Sequence, residues 1–316
     1  TGMEETVAHD SGAAIAARRP TVGTSRCYLN ARLTRGLHHV TDASNASRTL
    51  LYNLATGDWD DELCALFEVP RDALPEIVPS YGEIGMTDPD SFFGLSIPIA
   101  GIAGDQQAAL FGQTCFSPGS SKCTYGTGSF VLVNTGEHLV HSQNGLLPTV
   151  AWQHPDGTRE FALEGSVFVT GSAVQWLRDG LQMITSASES EELALSVPDS
   201  GGVVFVPALA GLGAPDWDPY ARGTILGITR GTTRAHLVRA TLEAIAYQVR
   251  DVVDIMVNES GVKLPRLAVD GGASANNFLF QTQATPPQVP AVPPANPVPT
   301  FLGVPALAGL GTGVWS

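Results

Sequence analysis

The chain has 316 residues, of which 43% are hydrophobic and 15% charged, and its formal net charge is -14. That length and apolar content support a large core and more than one domain. The acidic balance argues against a general nucleic-acid surface, which needs clustered Lys and Arg, and no apolar run is long enough to span a bilayer.

Met3-Glu4-Glu5 is acidic and no apolar segment follows it, so no signal peptide is expected. The four cysteines, Cys27, Cys64, Cys115 and Cys123, form no Cys-x-x-Cys pair and have no histidine at zinc spacing. They are expected as reduced structural thiols of a cytoplasmic protein. Lys122 and Lys263 are the only lysines.

In chain order, Ala13–Arg19 is a candidate helix closed by Pro20. Residues 25–35 show no clear period of 2 or 3.6. Asp42 or Ser44 can cap a short helix around Ala46. Asp58-Trp-Asp-Asp-Glu62 opens a helix with acid at its positive end, with Leu63, Leu66 and Phe67 on one face. Residues 86–96 are irregular. Ile97–Ala100 then predicts a strand, Gly101 and Gly104 a sharp turn, and Ala108–Phe111 a helix. Asp105, flanked by Gln106 and Gln107, lies at that turn. Two readings stand open: an N-cap, or a base accepting a proton from a substrate hydroxyl.

Ser121–Gly136 predicts two strands joined at Tyr125-Gly-Thr-Gly128. The joint is either a plain hairpin turn or a loop presenting backbone N–H groups and the Thr127 hydroxyl to an anion. Glu160–Gly165 predicts a strand. Val174, Leu177, Leu181 and Ile184 predict a helix whose N-terminus at Gly171 suits a phosphate. Val203–Val206 predicts a short buried strand, Gly211–Gly223 a long loop, and Thr232 the cap of a long core helix ending at Gly261. Leu267–Phe278 repeats strand, acid, paired glycine, helix, a moderately specific phosphate signal. Prolines crowd Thr285–Pro305, which predicts irregular coil, and a helical pattern resumes at Leu307.

Several of these stretches resemble the carbohydrate kinases of the FGGY family, in family order, over residues 38–282. The stretches are Thr41-Asp-Ala-Ser-Asn-Ala-Ser-Arg-Thr49, Asp58-Trp-Asp-Asp, Gly101-Ile-Ala-Gly-Asp-Gln-Gln-Ala-Ala-Leu-Phe-Gly-Gln113, Thr124-Tyr-Gly-Thr-Gly128, Ala162-Leu-Glu-Gly, Gln175-Trp-Leu-Arg-Asp179, Gly211-Leu-Gly-Ala-Pro, Trp217-Asp-Pro-Tyr-Ala-Arg-Gly223 and Asp270-Gly-Gly-Ala with Asn276-Asn-Phe. The Gly104–Gln113 run is similar to the members acting on glycerol rather than on pentuloses.

The resemblance implies an α/β, two-domain actin/hexokinase-like (ribonuclease H-like) fold. Residues 1–113 would be the remainder of a truncated first domain and 114–316 an incomplete second, with 283–305 atypical. It implies ATP and Mg²⁺ as cofactors, glycerol as acceptor, and a homo-oligomeric assembly. Residue by residue, it implies Asp105 as catalytic base and substrate ligand, with Gln106 and Phe130 as substrate contacts. Thr127, Gly171, Gln175, Gly272 and Asn276 would contact the nucleotide. The family's first Asp-Gly-Thr phosphate loop has no counterpart in these residues. Another sugar kinase of the family, or a catalytically incompetent nucleotide-binding fragment, are the alternative readings.

Overall fold

A computed structural model describes residues 21–284, 290–292 and 299–315. The helix expected at 13–19 and most of the proline-rich stretch lie outside these residues.

Among the described residues, a first group of elements comprises α1 (Ser25–Leu33), β1 (Val40–Asp42), α2 (Ala43–Ala46), β2 (Tyr52–Asn53), β3 (Asp58–Trp59), α3 (Asp61–Leu66), β4 (Glu76–Val78), β5 (Tyr81–Met86), β6 (Pro98–Gly101) and α4 (Asp105–Gly112). A second comprises β7 (Ser121–Tyr125), β8 (Ser129–Gly136), β9 (Leu147–Gln153), β10 (Arg159–Val167), α5 (Gly171–Gln175), α6 (Glu189–Leu195), β11 (Val204–Val206), β12 (Thr224–Leu226), α7 (Arg234–Ser260), β13 (Leu267–Asp270), α8 (Asn277–Ala284), β14 (Ala291–Val292) and α9 (Pro299–Gly311).

The organising layer is a mixed six-stranded sheet in the order β14-β13-β7-β8-β10-β9. β13 runs parallel to β7 and β14, and the remaining pairings are antiparallel. Because side chains alternate along a strand, the central strands β8 and β10 serve two cores. Cys123, Tyr125, Val131, Val133, Leu163 and Val167 face α7. Leu132 and Ala162 face the other way, toward Leu110 and Phe111 of α4 and Leu307 of α9. On α7, Val238, Leu242, Ile245, Val249, Val252 and Met256 recur every three or four residues and are all buried. Each such side chain contributes about 1.5–3 kcal/mol. A third cluster, containing Ala43, Ala46, Tyr52 and Trp59, covers Val150 and Phe161 at the β9 side of the sheet.

α4 and α9 pack with their backbones in near contact. A Cβ at Gly303 would fall on the carbonyl of Ala108, and one at Gly112 on the carbonyl of Pro299. This contact corrects the expected coil through Pro305: α9 begins at Pro299, a residue suited to a helix start, and continues through Pro305.

Other boundaries also differ from expectation. Residues 25–33 are helical, burying Cys27, Asn30 and Ala31, polar and apolar alike, so no hydrophobic period announces the helix. Asp60, not Asp58, caps α3, because Asp58–Trp59 pairs with Tyr52–Asn53. Leu66 and Phe67 are exposed, and Cys64 is the buried residue of α3. The helix from Gly171 passes into a π-turn at Trp176–Gly180 and stops, leaving Leu181 exposed. β11 is buried only at Phe205, with Val204 and Val206 outward. Thr233 caps α7, because the Thr232 hydroxyl accepts from the Thr229 N–H in the preceding turn, while His236 Nδ1 accepts from the Thr233 N–H. As expected, Asp42 caps α2 and Gly261, with φ 66°, ends α7. The four cysteines are free and buried. No helix among the described residues is long and apolar enough to cross a membrane.

Gly303→Ala is expected to lower stability by about 1–3 kcal/mol, read as a reduced urea midpoint. A second expectation concerns Glu259, whose Oε1 accepts from the Gln143 and Asn144 N–H groups and from Asn144 Nδ2 at 2.7–2.9 Å. Burial pushes this carboxyl up, but hydrogen bonds from the Ser142–Asn144 turn outweigh it, and the group sits below its usual range. Its contribution is therefore complete above the unfolded value of about 4.3 and is lost as pH falls through the lower folded value. The stability gap between the unmutated chain and Glu259→Gln should narrow in denaturant titrations run below about pH 4.

Candidate active site

α4 begins at Asp105, with three residues separating it from the end of β6. Its N-cap is Gly104, whose N–H donates to Ser44 Oγ at 2.9 Å. The cap reading of Asp105 therefore fails: the residue is the first of the helix, its side chain makes no capping bond, and it is exposed. Gln106 Nε2 donates to Asp105 Oδ2 at 3.3 Å. Gln107 does not share this site; it turns inward and donates to Thr149 Oγ1. Phe130 lies half-buried on β8, on the sheet face that carries Leu132 and α4.

The β7–β8 hairpin closes at Gly126-Thr127-Gly128, with the Gly126 N–H donating to the Gly128 carbonyl. The hairpin reading holds, and its tip also docks on α5. The Gly171 N–H donates to the Gly126 carbonyl at 3.0 Å, and the Thr170 and Ser172 N–H groups donate to the Thr127 carbonyl at 3.0 and 3.1 Å. The first amides of α5 are thus spent on the hairpin, which corrects the expectation that this helix start offers them to a phosphate. Gly171 is required by proximity instead: a Cβ there would sit 2.5 Å from the Gly126 carbonyl oxygen.

A cleft of about 560 Å³ opens beside this junction. Its walls bring together Thr127, Gly171, Gln175, Gly272 and Asn276. The paired glycines divide their work: Gly271, with φ 90°, packs on the Tyr125 backbone, while nothing stands in front of Gly272. Asn276 Oδ1 caps α8 through the Leu279 N–H, and its Nδ2 donates to Ser190 Oγ. Val174, Leu242, Ile245 and Leu279 make part of the wall apolar.

Sequence reading missed Arg178, Ser188, Ser190 and Glu191, which also line the cleft. Residues 186–191 carry no motif, so no signal marked them. Leu242 and Ile245 read as helix core, and the same apolar stripe becomes cleft wall where α7 passes beneath it.

Asp105, Gln106 and Phe130 are not among the cleft's lining. They gather around a residue also missed, Lys122. Its Nζ donates to Gln106 Oε1, to Thr124 Oγ1 at 2.9 Å and to the Phe130 carbonyl at 3.5 Å. Lys122 is fully buried. Desolvation lowers its pKa, opposed by the negative charges of Asp270, Glu164 and Asp105. Asp270 is itself held by Gln113 Nε2 at 3.0 Å, and Glu164 by Arg48 at 2.8 Å.

The FGGY family of carbohydrate kinases matches in two parts: its N-terminal domain over residues 8–112 and its C-terminal domain over residues 121–311. The chain is 58% identical over 294 residues to a glycerol kinase of Carboxydothermus hydrogenoformans, covering 93% of this chain and 59% of that protein. It is 58% identical over 293 residues to glycerol kinase 2 of Thermotoga maritima, with the same coverage. The crystal structure of Plasmodium falciparum glycerol kinase with ADP superposes with a TM-score of 0.88 at 38% identity, covering 96% of this chain and 60% of that one. A xylulose kinase from Brucella ovis shares the fold, with a TM-score of 0.84 at 22% identity. The chain thus spans about 59% of the length of the curated relatives it matches. Since the C-terminal domain match alone takes in more than half of its residues, the chain belongs to the FGGY family of carbohydrate kinases.

Proposed function

We propose that the chain carries the catalytic carboxylate and the nucleotide cleft of an ATP-dependent glycerol kinase, forming sn-glycerol 3-phosphate and ADP. The observation that carries this reading is the convergence of Thr127, Gly171, Gln175, Gly272 and Asn276 on one cleft. They come from three separated stretches of sequence. The names and 58% identity of the bacterial relatives support glycerol as acceptor. The ADP-bound relative supports an adenine nucleotide.

The residues fit that ligand. The cleft volume lies in the range of small-molecule sites. Its apolar wall suits a purine, the open backbone at Gly272 and the side chain of Asn276 suit adenosine, and exposed Thr127 suits the phosphates. Gly171 and Gln175 complete the nucleotide contacts. Mg²⁺ would enter with the nucleotide, held largely by phosphate oxygens and water, and would offset charge on the transferring group. Asp105 takes the proton of the acceptor hydroxyl, while Gln106 and the Phe130 ring hold the acceptor. This division of labour is what phosphoryl transfer asks of a protein: positioning, a base and electrostatic support. A cytoplasmic location and the division near residue 113 belong to the same reading, the latter supported by the two separate family matches.

Glycerol-dependent ADP release by the purified chain with MgATP is the test. Turnover is expected to fall by about a hundredfold or more in Asp105→Asn, with ATP affinity retained. Turnover with another polyol, but not glycerol, would favour a different sugar kinase. ATP binding without any turnover would favour a nucleotide-binding piece. Gly171→Val is expected to weaken ATP binding by at least about tenfold in calorimetry, because its side chain would push the hairpin tip off α5.

A further inference from the structure

Lys122 is an improbable residue for its place. It lies on the sheet face that carries Leu132 and Ala162 and packs against Leu110 of α4, where burying an ammonium carries a large desolvation penalty. β7 alternation puts it there: Cys123 and Tyr125 face α7, so Lys122 and Thr124 face α4. An ammonium has three N–H donors and no acceptor. Here the three acceptors are Gln106 Oε1, Thr124 Oγ1 and the Phe130 carbonyl. Two of them belong to residues assigned above to the acceptor site.

The consequence lies in Gln106. A carboxamide presents an oxygen on one side and an NH₂ on the other, and its two orientations are similar in shape. A donor-only neighbour removes the choice. Facing Lys122, the amide must turn Oε1 to the ammonium, which leaves Nε2 toward Asp105 Oδ2, 3.3 Å away. The opposite orientation would set NH₂ against ammonium and oxygen against carboxylate, two repulsions in place of two hydrogen bonds. We propose that Lys122 is a positioning residue for the Asp105 carboxylate, acting through Gln106: it locks the amide so that Oδ2 is held and Oδ1 is left for the acceptor hydroxyl. The substrate side of this inference rests on the kinase reading above. The competing role is a counter-charge for Asp270 and Glu164 alone, with no effect on Gln106.

The test is a double-mutant cycle read in two ways. In chain labelled with ¹⁵N-glutamine, the Gln106 side-chain amide is assigned by its disappearance in Gln106→Ala. In the unmutated chain its protons should exchange with solvent at least about tenfold more slowly than those of free glutamine. Lys122→Met, checked for folding by circular dichroism, should abolish that protection. In kinetics, Lys122→Met should lower kcat about tenfold or more with KM for ATP within about twofold, and should add no further loss in the Gln106→Ala background.

An unprotected Gln106 amide in the unmutated chain overturns the proposal, whether or not the variant folds. So does unchanged protection in folded Lys122→Met, or losses that multiply in the double variant. The amide measurement needs no turnover, so a chain inactive toward glycerol would sink the kinase reading while leaving this inference to be decided by resonance.

Discussion

A β-strand sends successive side chains to opposite faces, and in this protein the alternation along β7 and β8 decides almost everything near the site. One set, Cys123, Tyr125, Val131 and Val133, is buried against α7. The other, Lys122, Thr124, Phe130 and Leu132, faces α4, where Asp105 and Gln106 begin the helix. The tip between the strands reaches the cleft through Gly126 and Thr127. A single hairpin therefore joins the Asp105–Gln106–Lys122 cluster to the cleft, and a shift of one residue in its pairing would exchange the two faces.

Close backbone approach is the second constraint. Gly171 lets the hairpin tip lie on α5, and Gly112 and Gly303 let α9 lie on α4. Interiors are packed too densely to absorb a methyl group at such contacts without displacement. The helix carrying Asp105 is thereby supported from one side by the sheet and from the other by α9, while Ser44 ties the turn before it to α2. The Arg48–Glu164 ion pair adds a link between α2's flank and β10. The role proposed for Asp105 asks for a helix held in place, and these contacts brace it.

Much of this was legible along the chain because the signals are local. The stripe on α7, the glycine-bounded hairpin, and the strand–glycine–helix passages at 97–112 and 267–284 each announce themselves within a short window. Five of the eight residues that the family resemblance singles out do meet in one cleft. Local signals also misplace things. Thr232 and Thr233 are equivalent as caps until the preceding turn claims one hydroxyl. Residues 299–305 read as coil because they close a proline-crowded stretch, yet packing against α4 outweighs that preference.

By itself the sequence determined the α/β class, the apolar stripe of the long helix, the hairpin and the family to which the motifs belong, since each is written in periodicity or in residues adjacent along the chain. Only the tertiary structure decided which groups meet: that the α5 amides are spent on the hairpin, that Ser188, Ser190 and Glu191 wall the cleft, and that Lys122 reaches Gln106 beside Asp105. The physical reason is that hydrogen bonding and burial depend on distance in space. A lone lysine in a strand gives no hint along the chain of the three acceptors that neighbouring strands and helices bring to it.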